Sequence, residues 1–172
     1  MRTFFAMFRS TMTLDSYQRV MTVIATLLVP LSALALLAVG TYAAAAMLLF
    51  LAVSLGLAWA MSPRAIAVGD GELRVERRAW APLRVPLGSI VSASAIDELG
   101  PGTIRLFGVG GFFGSYGLFR SSSLGRFRLY ATRSARAVLV KRSGGTLPLV
   151  ITPDDVAGVV TSLGARAPSA TA

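Results

Sequence analysis

VMTVIATLLVPLSALALLAVGTYAAAAMLLFLAVSLGLAWAMSP, residues 20–63, runs for 44 residues without one charged side chain. A membrane-crossing helix needs about 20 predominantly apolar residues. The run therefore predicts two crossings, 20–39 and 42–61, joined by Gly40 and Thr41. Backbone amides in hydrocarbon have no water to bond, so such a run must be helical or part of a closed barrel. Its Leu and Ala content and its lack of period-two alternation favour helices.

Charge sets the expected orientation. Arg2, Arg9 and Arg19 precede the first span and Arg64 follows the second, while the connection carries no charge. The positive-inside bias then places both termini in the cytoplasm. The first span is longer than the 7–15 apolar residues typical of a secretory signal, and the second follows at once. The spans are therefore expected to be retained. Neither contains an ionisable group, which argues against a transport path. Ala52, Gly56 and Ala60 form a small-residue stripe, expected to pack helix against helix or to support a homo-oligomer. Residues 1–19, the expected cytoplasmic tail, mix Phe4, Phe5, Met7, Phe8, Met12 and Leu14 with Arg2 and Arg9. A short helix in the interface plane and a frayed end both fit that mixture.

The whole chain has 172 residues and a net charge of +9, with neither Cys nor His. Disulfides, thiolate chemistry and imidazole general bases are thereby excluded. Beside a membrane anchor, the basic excess points to anionic headgroups rather than nucleic acid. Asp97 and Glu98 are the one acidic pair without a local structural role, and neighbours on a strand face opposite ways. No catalytic residue, metal or cofactor is expected, and the chain reads as a non-enzyme.

After Met61 the pattern changes to short alternating runs: 65–68, 72–77, 83–87, 90–96, 103–107, 126–132, 137–142 and 147–151. Many short strands divided by turn residues predict a sandwich or small barrel. One helix closes this domain. Thr152 is the expected cap, Pro153 the first helical residue, and Asp154 and Asp155 complement the macrodipole. Val156, Val159, Val160 and Leu163 then make an apolar stripe, which Gly164 ends. The expected division is 1–19, 20–61, 62–164 and a disordered tail at 165–172.

Several motifs in this second part carry a resemblance. They are Ser62, Pro63 and Arg64; Arg84, Val85, Pro86 and Leu87 with Ile90; and Gly102, Thr103, Ile104 and Arg105. The run from Phe107 to Gly114, Leu124 with Gly125, Tyr130 to Thr132, and Ile151 to Asp154 complete the set. The chain resembles the bacterial pleckstrin-homology (PH) domain family whose members follow a two-helix membrane hairpin. The resemblance covers nearly all of 62–163. It implies an all-β PH-like barrel or sandwich capped by one C-terminal helix. The implied role is a binding or scaffolding module on the cytoplasmic face of the bacterial inner membrane. A structural subunit of a larger membrane complex is the alternative. Eukaryotic PH domains hold phosphoinositides on a basic cluster at the first strand pair. Here that turn is Gly69, Asp70, Gly71 and Glu72, acidic and without lysine, so that ligand is not implied.

Two segments are candidate contacts with the bilayer or with a protein partner. LFGVGGFFGSYGLF, residues 106–119, holds five glycines and five aromatics: Phe107, Phe112, Phe113, Tyr116 and Phe119. Arg105 and Arg120 bracket it. Its glycines predict a flexible loop that enters the interface, receives a partner, or folds back as a cover. Arg77, Arg78 and Trp80 form the second candidate at a hairpin tip, suited to headgroup or cation–π contact.

Overall fold

The computed structural model describes residues 7–37, 40, 42–99 and 102–164. The uncharged run forms two helices, α1 (Ser16–Leu37) and α2 (Tyr42–Met61). The bounds of α2 are the expected ones, while residues 38 and 39 of the first expected span lie outside the described residues. α1 starts earlier than expected because Asp15 caps it. The Asp15 carboxylate accepts the Gln18 N–H at 2.8 Å, and its carbonyl accepts the Arg19 N–H at 2.9 Å.

On α2 Ala44, Leu48, Leu51, Leu55 and Ala58 form a less exposed seam at spacings of three and four, and Ala60 and Met61 are half-buried where the helix meets the domain. The expected stripe is not that seam. Ala52 and Gly56 are exposed, and a Cβ on Gly56 would meet no atom within 4 Å. At about 100° per residue Ala52 and Gly56 lie roughly 80–120° round the helix from that seam.

From Met7 onward the N-terminal segment is neither an in-plane helix nor a frayed end, and Arg2, Phe4 and Phe5 lie outside the described residues. Phe8–Thr11 is a strand, β1, and it pairs antiparallel with β2 (Pro63–Gly69) on the far side of the helices. Thr11 lies opposite Ala65 in the ladder, and the Met12 N–H donates to the Arg64 carbonyl at 3.0 Å. The helical hairpin is thus an insertion between two neighbouring strands. Ser62 alone connects α2 to β2.

β3 (Glu72–Arg77) and β4 (Leu83–Pro86) extend this first sheet in the order β1-β2-β3-β4. A 3-10 turn, Leu87–Ser89, leads to a second sheet. Its strands are β5 (Ile90–Glu98), β6 (Ile104–Val109), β7 (Ser115–Ser121), β8 (Gly125–Ala131), β9 (Ala135–Arg142) and β10 (Leu149–Ile151). They run in the order β5-β9-β10-β8-β7-β6, with β10 parallel to β8. Between the sheets lie Ile66, Val68, Leu73, Val75, Val85, Val138, Val140, Leu149 and Ile151, with Met12 from the N-terminal segment. Phe119, Phe127, Leu129 and Leu139 form a second cluster on the other face of the second sheet.

α3 (Val156–Gly164) buries Val159 and Leu163 in the main core, with Val156 and Val160 half-buried beside them. Its start corrects the expected cap. Asp155 caps the helix by accepting the Gly158 N–H at 2.8 Å, whereas Thr152 is buried and accepts the Thr132 N–H at 2.8 Å. Asp154 has a third role. Its carboxylate accepts the Thr11 hydroxyl at 2.6 Å, the Thr13 N–H at 3.1 Å and the Thr13 hydroxyl at 2.9 Å, and it pairs with Arg133. Asp154 fastens the N-terminal strand to the end of the domain.

Candidate interface at the hairpin end of the domain

The Phe/Gly segment is mostly strand. β6 and β7 pair through it, leaving 110–114 as the connection. Gly108 and Gly117 lie opposite each other at φ +119° and +133°, and a Cβ on either would sit 2.2 Å from a carbonyl oxygen of the facing strand. Glycine here permits a close approach of two backbones, which is why a run that looks too flexible for a strand is one.

This hairpin reaches the helices. The Phe113 N–H donates to Thr22 Oγ1 of α1 at 2.9 Å, and the Tyr116 hydroxyl donates to the Ala58 carbonyl of α2 at 2.5 Å. The segment therefore folds back on the helix ends, one of the three expected outcomes. It leaves Phe107 and Phe112 79% and 40% exposed, so those two rings remain open to further contact. Phe119 is buried against Phe127, with ring centroids 6.3 Å apart.

Arg77, Arg78 and Trp80 come to the same end. The Arg78 N–H donates to the Ser62 carbonyl at 3.1 Å, and the Ala79 N–H to the Ala60 carbonyl at 3.0 Å. Arg78 and Trp80 are exposed, but Arg77 turns inward. Its guanidinium donates to the Tyr130 hydroxyl at 2.9 Å and lies 5.4 Å from the centre of that ring. Arg77 is thus a structural residue of the junction.

Burial pushes the Tyr116 phenol up to about 12, opposed by the positive charge of Arg77 and helped by Tyr130. An unfolded tyrosine ionises near 10. Between about pH 10 and 12 the folded chain holds a proton that the unfolded chain has lost, so stability must fall as pH rises through that window. Tyr116→Phe is expected to remove this part of the decline while costing about 0.5–1.5 kcal/mol at neutral pH for the lost bond to Ala58. Melting temperatures of both proteins across the window test it, and equal slopes would refute the assignment.

Arg105 and Arg120 do not bracket a loop in space. In the ladder, Arg105 faces Phe119 and Arg120 faces Ile104, at the end of β6 and β7 away from the helices. The Arg105 side chain folds back over Gly110, with Nη1 3.0 Å from where a Cβ would be. It borders a cavity of about 900 Å³ that sequence reasoning missed. Met61, Phe107, Tyr116, Leu118 and Arg128 line it together with Arg105. The cavity lies on the inner face of the second sheet, where the first sheet covers Tyr116 and Tyr130 but leaves Leu118 half-open and Arg128 exposed.

By strand alternation Arg120, Arg126 and Arg142 project on this same face. Among the described residues, none of these five arginines makes an ion pair. Arg142 is held below its ordinary value by burial and then by the charge of Arg128. The arginines come from four strands and are spread through the sequence, so only the alternation of 126 with 128 hinted at the grouping. Asp97 and Glu98 are exposed on β5, the opposite edge of the sheet. No group of three or more acidic side chains converges among the described residues.

A family model described as "Bacterial PH domain" matches residues 64–167. Searches of curated proteins and of solved structures give no match. The match spans the two sheets from β2 onward together with α3, and on that ground the chain belongs to the bacterial PH domain family.

Proposed function

We propose that the chain is an integral membrane protein whose helical hairpin holds its PH domain against the cytoplasmic face of the bacterial inner membrane, as a binding module. The observation that carries this reading is the exposure of the helices. Their apolar stretches span 21 and 20 residues at mean hydropathy 2.0 and 2.1, with 0% and 6% of the most apolar stretch buried. A core helix of a soluble protein hides such a surface, whereas lipid accepts it. Two further features support the placement. β1 and β2 are neighbours, so both ends of the hairpin leave the domain together, consistent with the arginines on that side. Exposed Tyr17, Trp59, Trp80 and Phe112 gather round the junction, as rings do at a membrane–water boundary.

The natural chain lacks cysteine, so single cysteines report topology cleanly. Tyr42→Cys, at a 98% exposed position beside the connection, is expected to react with an impermeant thiol reagent in intact cells. Ser143→Cys, on an exposed turn of the domain, should react only after permeabilisation. Alkaline carbonate should leave the protein in the pellet. Release by carbonate would overturn the anchorage, and labelling of Ser143→Cys in intact cells would overturn the orientation.

The exposed small residues Ala52 and Gly56 favour a second reading, a subunit packed in a larger membrane assembly. Crosslinking in the membrane separates the two. Stoichiometric integral-membrane partners would support the subunit, and a soluble partner set the binding module.

A further inference from the structure

The register of β6, β7 and β8 sets out the inner face of the second sheet in rows, because cross-strand partners share a face. Val109, Tyr116 and Tyr130 form the row nearest the helices, Phe107, Leu118 and Arg128 the next, and Ile104, Arg120 and Arg126 the last. The first row is covered: Tyr116 and Tyr130 are buried and Val109 half-buried. The other two rows are open. Phe107 and Ile104 are 79% and 56% exposed, Leu118 is half-buried, and the three arginines are exposed. Two features of this open surface point to a partner. Arg120 and Arg126 stand directly opposite each other, with Arg128 two residues along the same face, and like charges so placed repel. The acids that could relieve them are engaged elsewhere. Asp15 and Asp155 cap helices, and Glu72, Glu76 and Asp154 pair with Arg74, Arg9 and Arg133. Asp70 lies on the turn between β2 and β3, and Asp97 and Glu98 on β5 at the opposite edge. Beside the arginines, Ile104, Phe107 and Leu118 leave apolar surface in water, at a cavity that Phe107, Leu118 and Arg128 help to line. An apolar patch holding an aromatic ring and flanked by arginines has the make-up of a protein interface.

We propose that this face docks an acidic segment of a soluble protein, its carboxylates on Arg120, Arg126 and Arg128 and its apolar side chains on Ile104, Phe107 and Leu118. The inference deepens the binding-module reading above and rests on it. Guanidinium groups take carboxylates through parallel N–H donors, and the apolar row supplies the burial that charge alone lacks. Bilayer lipid is a poor occupant here. Tyr116 already reaches the end of α2, and Arg120 lies four residues further along β7, roughly 13 Å at about 3.3 Å per residue. A second copy in the same membrane is no better placed, because Asp97 and Glu98 lie at the hairpin end of β5. Glu98 is opposite Ala135, next to Ser134, whose N–H donates to the Asp15 carboxylate at the start of α1 at 3.2 Å. Nucleic-acid phosphates would satisfy the arginines but leave Ile104 and Leu118, which offer no ring for a base to stack on, in water.

The test immobilises the full chain in mild detergent and selects from a phage-displayed library of random short peptides. Selected peptides should be enriched in Asp and Glu interspersed with apolar residues, and one of them, synthesised, should bind more weakly as salt rises. Arg120→Gln with Arg126→Gln should weaken that peptide about tenfold or more. Phe107→Ser should weaken it about tenfold as well. A charge exchange separates lost binding from lost folding: Arg120→Glu with Arg126→Glu should release the acidic peptide and gain its counterpart with Lys in place of Asp and Glu. Peptides without an acidic excess, or acidic ones whose affinity survives these substitutions, would overturn the proposal. So would an oligothymidylate or phosphatidylglycerol micelles that bind through the same arginines and displace the peptide, which would assign the face to nucleic acid or to lipid. A chain that resists carbonate yet selects no peptide would sink this inference and leave the anchorage standing.

Discussion

A chain shortened to residues 62–164 is expected to lack a cooperative melting transition, whereas residues 7–14 joined to 62–164 through a short Gly/Ser linker should fold. The shorter chain loses Met12, 5% exposed in the main core, and the Phe8 ring that packs beside Gly158. Burying one such apolar side chain is worth about 1.5–3 kcal/mol. It also loses the β1–β2 ladder and the hydrogen bonds to Asp154, each worth about 0.5–1.5 kcal/mol, somewhat more for those to the charged carboxylate. Against a typical total of about 5–15 kcal/mol, those losses are decisive. β2 would in addition present a bare edge, which promotes aggregation. The linker is feasible because Thr11 and Ala65 are already neighbours. Circular dichroism melts of both chains decide the matter, and equal cooperative transitions would show that β1 is dispensable.

Val159→Asp is expected to abolish folding of the full chain in detergent. Val159 is fully buried, and α3 packs it against β5 and β9 and close to β1. The substitution removes an apolar side chain worth about 1.5–3 kcal/mol and leaves a carboxylate with no cation among the core residues round it. Ala157→Asp on the exposed side of the same helix is the control and should shift stability by no more than about 0.5 kcal/mol. A Val159→Asp protein that melts like the control would remove α3 from the core.

How far the fold was legible depends on the range of the interactions that made each part. α2, the stripe of α3 and most strands follow from local periodicity, and periodicity is written in consecutive residues. β1 is not, because FRST has no alternation of apolar and polar residues and its partner comes after both helices. Ser10 is the buried polar residue of that strand, donating to the Thr11 carbonyl and accepting from the Asp155 N–H. The Phe/Gly segment misled for the opposite reason. Gly108 and Gly117 look disruptive singly, and only their register across the ladder explains them. The rings of the candidate site were identified from sequence, and so were the arginines near them. That Arg105 and Arg128 share a groove was not, since it depends on how far the first sheet extends over the second.

The insertion of the hairpin between β1 and β2 also dictates the order in which a growing chain can be completed. β1 leaves the ribosome first, yet its partner Ala65 follows Thr11 only after 54 further residues. At about 5–20 residues per second that is a wait of roughly 3–10 s. During that wait both apolar helices emerge and are taken into the bilayer under the proposed placement. The first sheet therefore closes only on a chain whose anchor is already delivered, and α3, last to be made, seals it through Asp154.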